Sequence, residues 1–337
     1  MTQTSFKNKN IFITGINGFI GGNLCKSLIA KGANVIGLVR TYNKSSFLFF
    51  ENLDKKVKII AGDITNMHLL QGILSENDIQ FVFHLAAQVE VGVAINNPFL
   101  TYETNVRGTY TLLEACRLYG KNLEAIVIAS SDKSYGAYPN NSMPYKEEYP
   151  LDPKFPYDTS KACTDLIAKS YSQSYKNLPI IITRFSNIFG PGQLNFSAII
   201  PDVIRSALGY SQFEPRGNGE SIRDFIFVED VCELYQVIAI RLSENKDYNG
   251  EIFNAGTNKP ISIKDLITRI FSIIGKEKDL KKIIQKMKNK KSFGEIDCQY
   301  MDYIKVNKFF NWKPKTNLEA GLEITIEWFQ NYFIRTK

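Results

Sequence analysis

From the start of the chain to about Phe189, short apolar runs rich in β-branched residues alternate with longer amphipathic stretches. The runs Ile11–Thr14, Asn34–Val39, Val57–Ile60, Phe81–Leu85, Ala125–Ser130 and Ile180–Phe185 have the length of strands. Most lack polar alternation, as expected when helices cover both faces of a sheet. Between them the periodicity predicts helices at about Phe19–Ala30, Met67–Leu74, Leu100–Leu118 and Tyr157–Tyr175. Strands alternating with helices in this way predict βαβ units, and so an α/β fold around a parallel sheet. Beyond Gly190–Gly192 the pattern loosens into mixed helices and loops. Two short runs there, Phe225–Val228 and Ile252–Asn254, are expected to return to the main sheet. Residues 1–190 with about 222–255 would then form one domain, and 191–221 with 256–337 a smaller, discontinuous C-terminal one.

Composition narrows the function classes. A chain of 337 residues fits about two domains, and no apolar run approaches the roughly 20 residues of a membrane span. The polar opening Met1–Asn10 leads straight into the first strand without a secretory apolar segment, so a cytoplasmic location is expected. Cys25, Cys116, Cys163, Cys232 and Cys298 form no CxxC pair and are expected to be reduced thiols, mostly buried. With only His68 and His84, no metal centre or histidine-based hydrolase is expected. The net charge of +7 comes largely from Lys276–Lys291, where eight lysines face Glu277 and Asp279. A solvated helix face or loop explains this run, and no nucleic-acid partner is expected.

Candidate chemistry begins directly after the first strand, in TGINGFIGGN. Gly15, Gly18 and Gly21 stand at GxxGxxG spacing ahead of an apolar helix. Such glycines permit a tight strand-to-helix turn, close approach to a pyrophosphate and close helix packing, with the phosphates at the helix N-terminus. The fold expected is thus a Rossmann-type doubly wound parallel sheet. At the end of the second strand, where an acidic residue would bind the ribose hydroxyls of NAD, the chain has Val39-Arg40-Thr41. The Arg40 guanidinium suits a 2′-phosphate, which favours NADP and leaves NAD as the alternative. Asp63, in Gly62-Asp63-Ile64 after the third strand, suits the adenine amino group; a helix cap by Asp63 or Thr65 is the other reading.

A second cluster lies further on. Tyr157 and Lys161 form YxxxK in a predicted helix, where i, i+4 residues share a face and an ammonium can stabilise the phenolate beside it. A tyrosine of lowered pKa would exchange a proton with a sugar hydroxyl while hydride moves. The companion segment AIVIASSDKSYG places Ser130, Ser131, Asp132 and Lys133 at the end of a predicted central strand, where ligands bind in open α/β sheets.

With FHLAAQ (Phe83–Gln88), TNVRGT (Thr104–Thr109), RFSNIFGPG (Arg184–Gly192) and RDFIFVEDV (Arg223–Val231), these motifs resemble the extended short-chain dehydrogenase/reductase family that acts on nucleotide sugars. The resemblance spans roughly Asn10–Gly256, with an echo at Phe309–Phe329. The Ser-Asp-Lys form, FHLAAQ and IIPDVIRS are similar to CDP-glucose 4,6-dehydratases, whereas VRTYNKSS is similar to GDP-mannose 4,6-dehydratases, so the nucleotide base stays open.

The resemblance implies a bound nicotinamide dinucleotide held by Gly15, Gly18, Phe19, Ile20, Gly21, Arg40, Asp63, Ile64, Leu85, Ala86, Ala87, Asn105, Tyr157 and Lys161. It implies Tyr157 as proton acceptor at the sugar 4-hydroxyl, Ser131 bonding that hydroxyl, Asp132 as acid to the 6-hydroxyl and Lys133 as candidate base at carbon 5. For a nucleotide-sugar substrate it implies Gln88, Ser131, Asn187 and Arg223, with Asp224 orienting Arg223, and Arg216 as a further candidate. A homodimer through a four-helix bundle is expected, from apolar residues such as Leu112, Leu113, Ala115, Ala162, Leu166 and Ile167 on more than one helix face. A 4-epimerase, decarboxylase or reductase on the same Tyr157–Lys161 core, and a non-enzymatic NADP-binding regulator, remain alternatives.

Overall fold

A computed structural model of the chain describes residues 5–288, 290 and 296–336. The strands β1 (Asn10–Thr14), β2 (Asn34–Val39), β3 (Lys58–Ala61), β4 (Phe81–His84), β5 (Ala125–Ala129) and β6 (Ile180–Phe185) lie where the apolar runs predict them. With β10 (Ile252–Ala255) they form a seven-stranded parallel sheet in the order β10-β6-β5-β4-β1-β2-β3. The order reverses between β1 and β4, which opens a crevice beyond their C-terminal ends.

Alternate residues of each strand serve the two faces. Ile11, Ile13, Phe81, Phe83 and Val127 pack with α1 (Phe19–Ala30), α2 (Phe47–Phe50) and α9 (Val228–Glu244). Phe12, Val82, Ile126 and Ile128 pack on the opposite side with α3 (Met67–Glu76), α6 (Gly108–Tyr119) and α7 (Pro156–Ser174). Each such side chain, fully buried, contributes roughly 1.5–3 kcal/mol. This two-sided burial is why the strands show no polar alternation.

The expected single helix Leu100–Leu118 is interrupted. Short helices α4 (Val91–Asn96) and α5 (Pro98–Tyr102) lead into one widened π turn, Glu103–Arg107, before α6. The Asn105 carbonyl there accepts from the Thr109 and Thr164 hydroxyls at 2.6 and 3.2 Å, drawn toward α7.

Expectation and structure also part at Phe225–Val228. Residues Phe225–Phe227 form β9, which pairs with β7 (Asn187–Phe189) in a separate two-stranded sheet, while Val228 opens α9. The free edge of β6 is taken by β10 alone, so no place in the main sheet remains beside it.

The remaining chain builds a third cluster over the crevice. Here α8 (Ile199–Ala207), α10 (Ile263–Ile274), α11 (Glu277–Met287) and α13 (Leu318–Arg335) enclose Phe189, Phe225 and Phe227. A small sheet joins β8 (Ile222–Arg223) to β11 (Ile261–Ser262) and β12 (Cys298–Gln299). Helix α12 (Ile304–Phe310) returns to the main body, where Val306, Phe310 and Trp312 join the cluster under α9. The lysine run reads as the exposed face of α11, although Asn289 and Lys291 lie outside the described residues. All five cysteines are free thiols, four of them buried.

Candidate active site

The crevice opens into a cavity of about 1000 Å³ between the sheet ends and the smaller cluster. Strand β1 delivers Gly15 to its floor with φ +74°, where an added Cβ would stand 2.8 Å from the Ala86 amide nitrogen. A Cβ on Gly21 would collide with the Gly15 carbonyl, so α1 can lie this close to β1 only with glycine there. Gly18 precedes α1 without any side-chain cap, and Gly18, Phe19 and Ile20 line the cavity. The uncapped N-terminal amides of α1 thus face a space of the right place and polarity for a pyrophosphate.

Arg40 stands exposed at the end of β2 on the cavity rim, and Asn17 Nδ2 ties the two loops by donating to the Thr41 carbonyl at 2.9 Å. Asp63 accepts from the Thr65 amide and hydroxyl at 2.9 and 2.7 Å. Burial pulls its pKa up, but those bonds and the charges of Arg40 and Arg107 outweigh it and leave the carboxyl below its usual value. The cap of α3 is neither Asp63 nor Thr65 but Asn66, which accepts from Leu69.

Leu85 and Ala86 are fixed from below. Thr14 Oγ1 accepts from both of their amides at 3.2 Å and meets His84 Nδ1 at 2.8 Å, while His84 Nε2 meets Thr109 Oγ1 at 3.0 Å. Burial pushes the His84 pKa down to about 3, with the Lys161 charge adding, so this histidine is a neutral strut. Asn105 does not line the cavity. It is 2% exposed, and its amide bonds the Gln88 backbone both ways and donates to Ser160 Oγ at 2.8 Å. Asn105 therefore positions its neighbours, and its side chain is spent on protein. Gln88, Ala87 and Ile64 do line the cavity. The Gln88 side chain donates to the Glu90 carbonyl at 3.1 Å.

On the opposite wall, β5 ends at Ala129 and the chain turns through the short 3-10 segment Asp132–Tyr135. Ser131 Oγ caps that turn by accepting from the Lys133 amide and donates to Asp132 Oδ1 at 3.0 Å. Asp132 is 3% exposed, and its second oxygen has no hydrogen-bond partner among the described residues. Burial raises its pKa against the pull of Lys133, Ser131 and Arg223. The Lys133 ammonium donates to Gln299 Oε1 of β12.

Helix α7 starts with Pro156 in its first turn, which sets φ for the helix, and presents Tyr157 and Lys161 to this turn. Lys161 Nζ donates to the Ala129 carbonyl at 2.8 Å; burial lowers its pKa to about 8, with Asp165 pulling it back up. The Tyr157 pKa is raised, by burial first and by the Asp132 charge second, while the Ser131 hydroxyl beside it draws it down. The expected lowering by Lys161 is not found: its ammonium donates to the Ala129 carbonyl at the end of β5, and burial governs the phenol.

Two features of this wall escaped the sequence reading. Arg184 grips Asp165 through two bonds of 3.0 and 3.1 Å and donates to the Tyr135 hydroxyl at 2.6 Å, and Ser130 donates to the same carboxylate. This buried network locks the Ser130–Tyr135 turn to β6 and α7. Asp158, next to Tyr157, is 6% exposed and also lines the cavity. Burial pushes its carboxyl up to about 6; the Lys133 charge opposes this and the Asp132 charge adds to it.

Across the cavity, Asn187, Arg216 and Arg223 line the far end. Arg223 is buried on β8 and donates to the Ile222 carbonyl at 2.8 Å. Arg216 stands exposed on the loop before it. Asp224 does not orient Arg223, because its carboxylate accepts from the Thr257 amide and hydroxyl. Among the described residues no cluster fit to hold a metal ion occurs, and no helix is long and apolar enough to cross a membrane.

The family model described as GDP-mannose 4,6 dehydratase matches residues 12–325. The chain belongs to this family. It is 31% identical over 336 residues to a trifunctional UDP-glucose 4,6-dehydratase of Arabidopsis thaliana, covering 98% of this chain but spanning about half, 48%, of that longer relative. It is 29% identical to human dTDP-D-glucose 4,6-dehydratase, covering 96% of this chain and 91% of the relative. Among solved structures, a dTDP-glucose 4,6-dehydratase of Bacillus anthracis in complex with NAD superimposes with TM-score 0.82 at 29% identity, covering 96% and 97% of the two chains. UDP-glucose 4-epimerase of Thermotoga maritima superimposes with TM-score 0.81 at 26% identity, covering 96% and 99%. The dehydratase and the epimerase thus share this fold.

Proposed function

We propose that the protein is a nucleotide-sugar 4,6-dehydratase, a lyase that converts its substrate to the 4-keto-6-deoxy sugar. The observation that carries this reading is Asp132, a buried carboxyl beside Tyr157 whose second oxygen has no partner among the described residues. Epimerisation at carbon 4 needs only the tyrosine and lysine; loss of water across carbons 5 and 6 needs a proton donor as well, and a carboxyl with a raised pKa supplies one. A bound oxidised dinucleotide would supply the redox chemistry, as acceptor of hydride from carbon 4 and its donor to carbon 6.

The residues do the rest. Tyr157 accepts the 4-hydroxyl proton, Ser131 holds that hydroxyl, and Asp132 protonates the departing 6-hydroxyl. Gly15, Gly18 and the N-terminus of α1 hold the pyrophosphate, with Phe19, Ile20, Leu85 and Ala86 around the cofactor. Arg40 favours NADP, since its guanidinium suits a 2′-phosphate and no carboxylate stands at the end of β2 to repel that phosphate. Arg223 takes the substrate diphosphate, with Asn187, Gln88 and Arg216 along the rest of the nucleotide sugar. Residues 1–190 with 222–255 serve the cofactor, and 191–221 with 256–337 serve the nucleotide sugar.

We also assign a homodimer, on revised grounds. Leu112, Leu113, Ala115 and Ala162 are consumed inside the chain, but Ile95, Phe99 and Leu166 on α4, α5 and α7 stand 56%, 75% and 60% exposed. Incubation with CDP-, GDP-, UDP- and dTDP-sugars, followed by mass spectrometry, tests the function. Loss of one water from one of them is expected; a 4-epimer of unchanged mass would support the epimerase reading instead.

A further inference from the structure

The elimination needs a base at carbon 5, and Lys133 is poorly placed to be it. Its Nζ donates to Gln299 Oε1 and faces the carboxyls of Asp132 and Asp158, so this side chain is tied to protein groups. Asp158 is differently situated. It lies in the first turn of α7 beside Tyr157, lines the same cavity, and accepts no hydrogen bond from any described residue. The charged or titratable groups that face it are Asp132 and Lys133 of the turn after β5, Tyr157 of its own helix, and Tyr145 of the intervening segment. The N-terminal end of α7 favours a negative charge there.

We propose that Asp158 is the base of the elimination, taking the proton from carbon 5 while Asp132 gives one to the departing 6-hydroxyl. The inference rests on the dehydratase reading and replaces Lys133 in the role that the resemblance gives it. Lys133 instead positions the pair as the cation that faces both carboxyls. Environments that hold two carboxyls at different proton affinities are what acid and base roles require. Burial with no partner on Oδ2 raises the proton affinity of Asp132, as a proton donor requires, while the helix terminus and nearby Lys133 oppose the rise at Asp158.

The protons balance. The C5–H bond breaks with its proton going to Asp158 and its electron pair passing into the 4-keto group as an enolate; the pair then returns to form the C5–C6 double bond as the C6–O bond breaks and Asp132 protonates the oxygen to give water. When hydride arrives at carbon 6, Asp158 returns its proton to carbon 5. The proton that Tyr157 took from the 4-hydroxyl passes through Ser131, which donates to Asp132 Oδ1, and restores Asp132.

The test uses the full chain with its bound cofactor, in deuterium oxide, with the nucleotide sugar that the native protein dehydrates. Reduced-cofactor absorbance, deuterium at carbon 5 of the recovered sugar and loss of water are followed together. Asp158→Asn is expected to form reduced cofactor yet lose carbon-5 exchange by about 100-fold or more, with partial rescue in Asp158→Glu. Asp132→Asn stalls water loss but keeps the exchange, and Lys133→Gln, which removes the positioning cation and not the base, slows the exchange far less than Asp158→Asn does. Should Asp158→Asn fail to retain cofactor, Asp158→Ser is judged on the same exchange. Exchange at the native rate in the Asp158 variants, or its loss in Lys133→Gln alone, overturns the proposal while leaving the dehydratase reading standing. A native protein that removes water from no nucleotide sugar overturns both.

Discussion

Asp158 makes a thermodynamic prediction apart from its chemistry. A carboxyl whose pKa rises from 3.8 to about 6 on folding destabilises the fold wherever it must be ionised. The penalty is absent below pH 3.8, grows as pH rises toward 6, and is complete above it, at about 3 kcal/mol. Asp158→Asn should therefore melt higher than the parent at pH 7, by roughly 4 °C for a chain this long. The gap should close as pH falls from 6 toward 4, and an equal gap at both ends would mean that Asp158 is not perturbed. At the neighbouring position, Tyr157→Phe removes the phenol and leaves the ring, so turnover should fall by about 10²- to 10⁴-fold with cofactor retention unchanged. Fluorescence of bound cofactor and a product assay separate the two effects.

At the scale of elements, the parts legible in the sequence are those whose cause is local. Strands β1, β2, β4, β5 and β6 show because they are buried on both faces and so written largely in apolar residues, while β3, at the sheet edge, shows only through Ile59 and Ile60. Gly15 and Gly21 show because the tight turn and close packing leave no room for a Cβ. What stays hidden has its cause elsewhere in the chain. The π turn depends on Thr164 of α7 drawing on the Asn105 carbonyl, and β9 on an edge already taken by β10. Gln299 reaches Lys133 across 166 positions of sequence. Asp158 lies in an unspecified place of YxxxK, and only its burial marks it. The helical faces give a prediction of their own. Charge on the apolar surface of α5 and α7, as Phe99→Asp with Leu166→Lys, should convert a dimer to a monomer in light scattering at micromolar concentration. A native protein that is already monomeric would refute that interface.

For the whole molecule, the doubly wound sheet gathers the ends of β1, β2, β4 and β5 into one crevice, and the smaller cluster closes over it with Arg223 and Arg216. The proposed preference for NADP rests on Arg40, at one edge of this arrangement. Arg40→Asp should weaken NADP relative to NAD by about tenfold or more, through loss of a charge-assisted bond and gain of a repulsive carboxylate. Competitive binding of the two dinucleotides measures it, and equal affinities in the parent would remove Arg40 from the account. In the proposed reaction one cavity oxidises, eliminates and reduces the same sugar. A nucleotide sugar carrying deuterium at carbon 4 tests it most directly. The account predicts a product lighter by one water with the deuterium now on carbon 6; deuterium still on carbon 4 of a sugar of unchanged mass would contradict it.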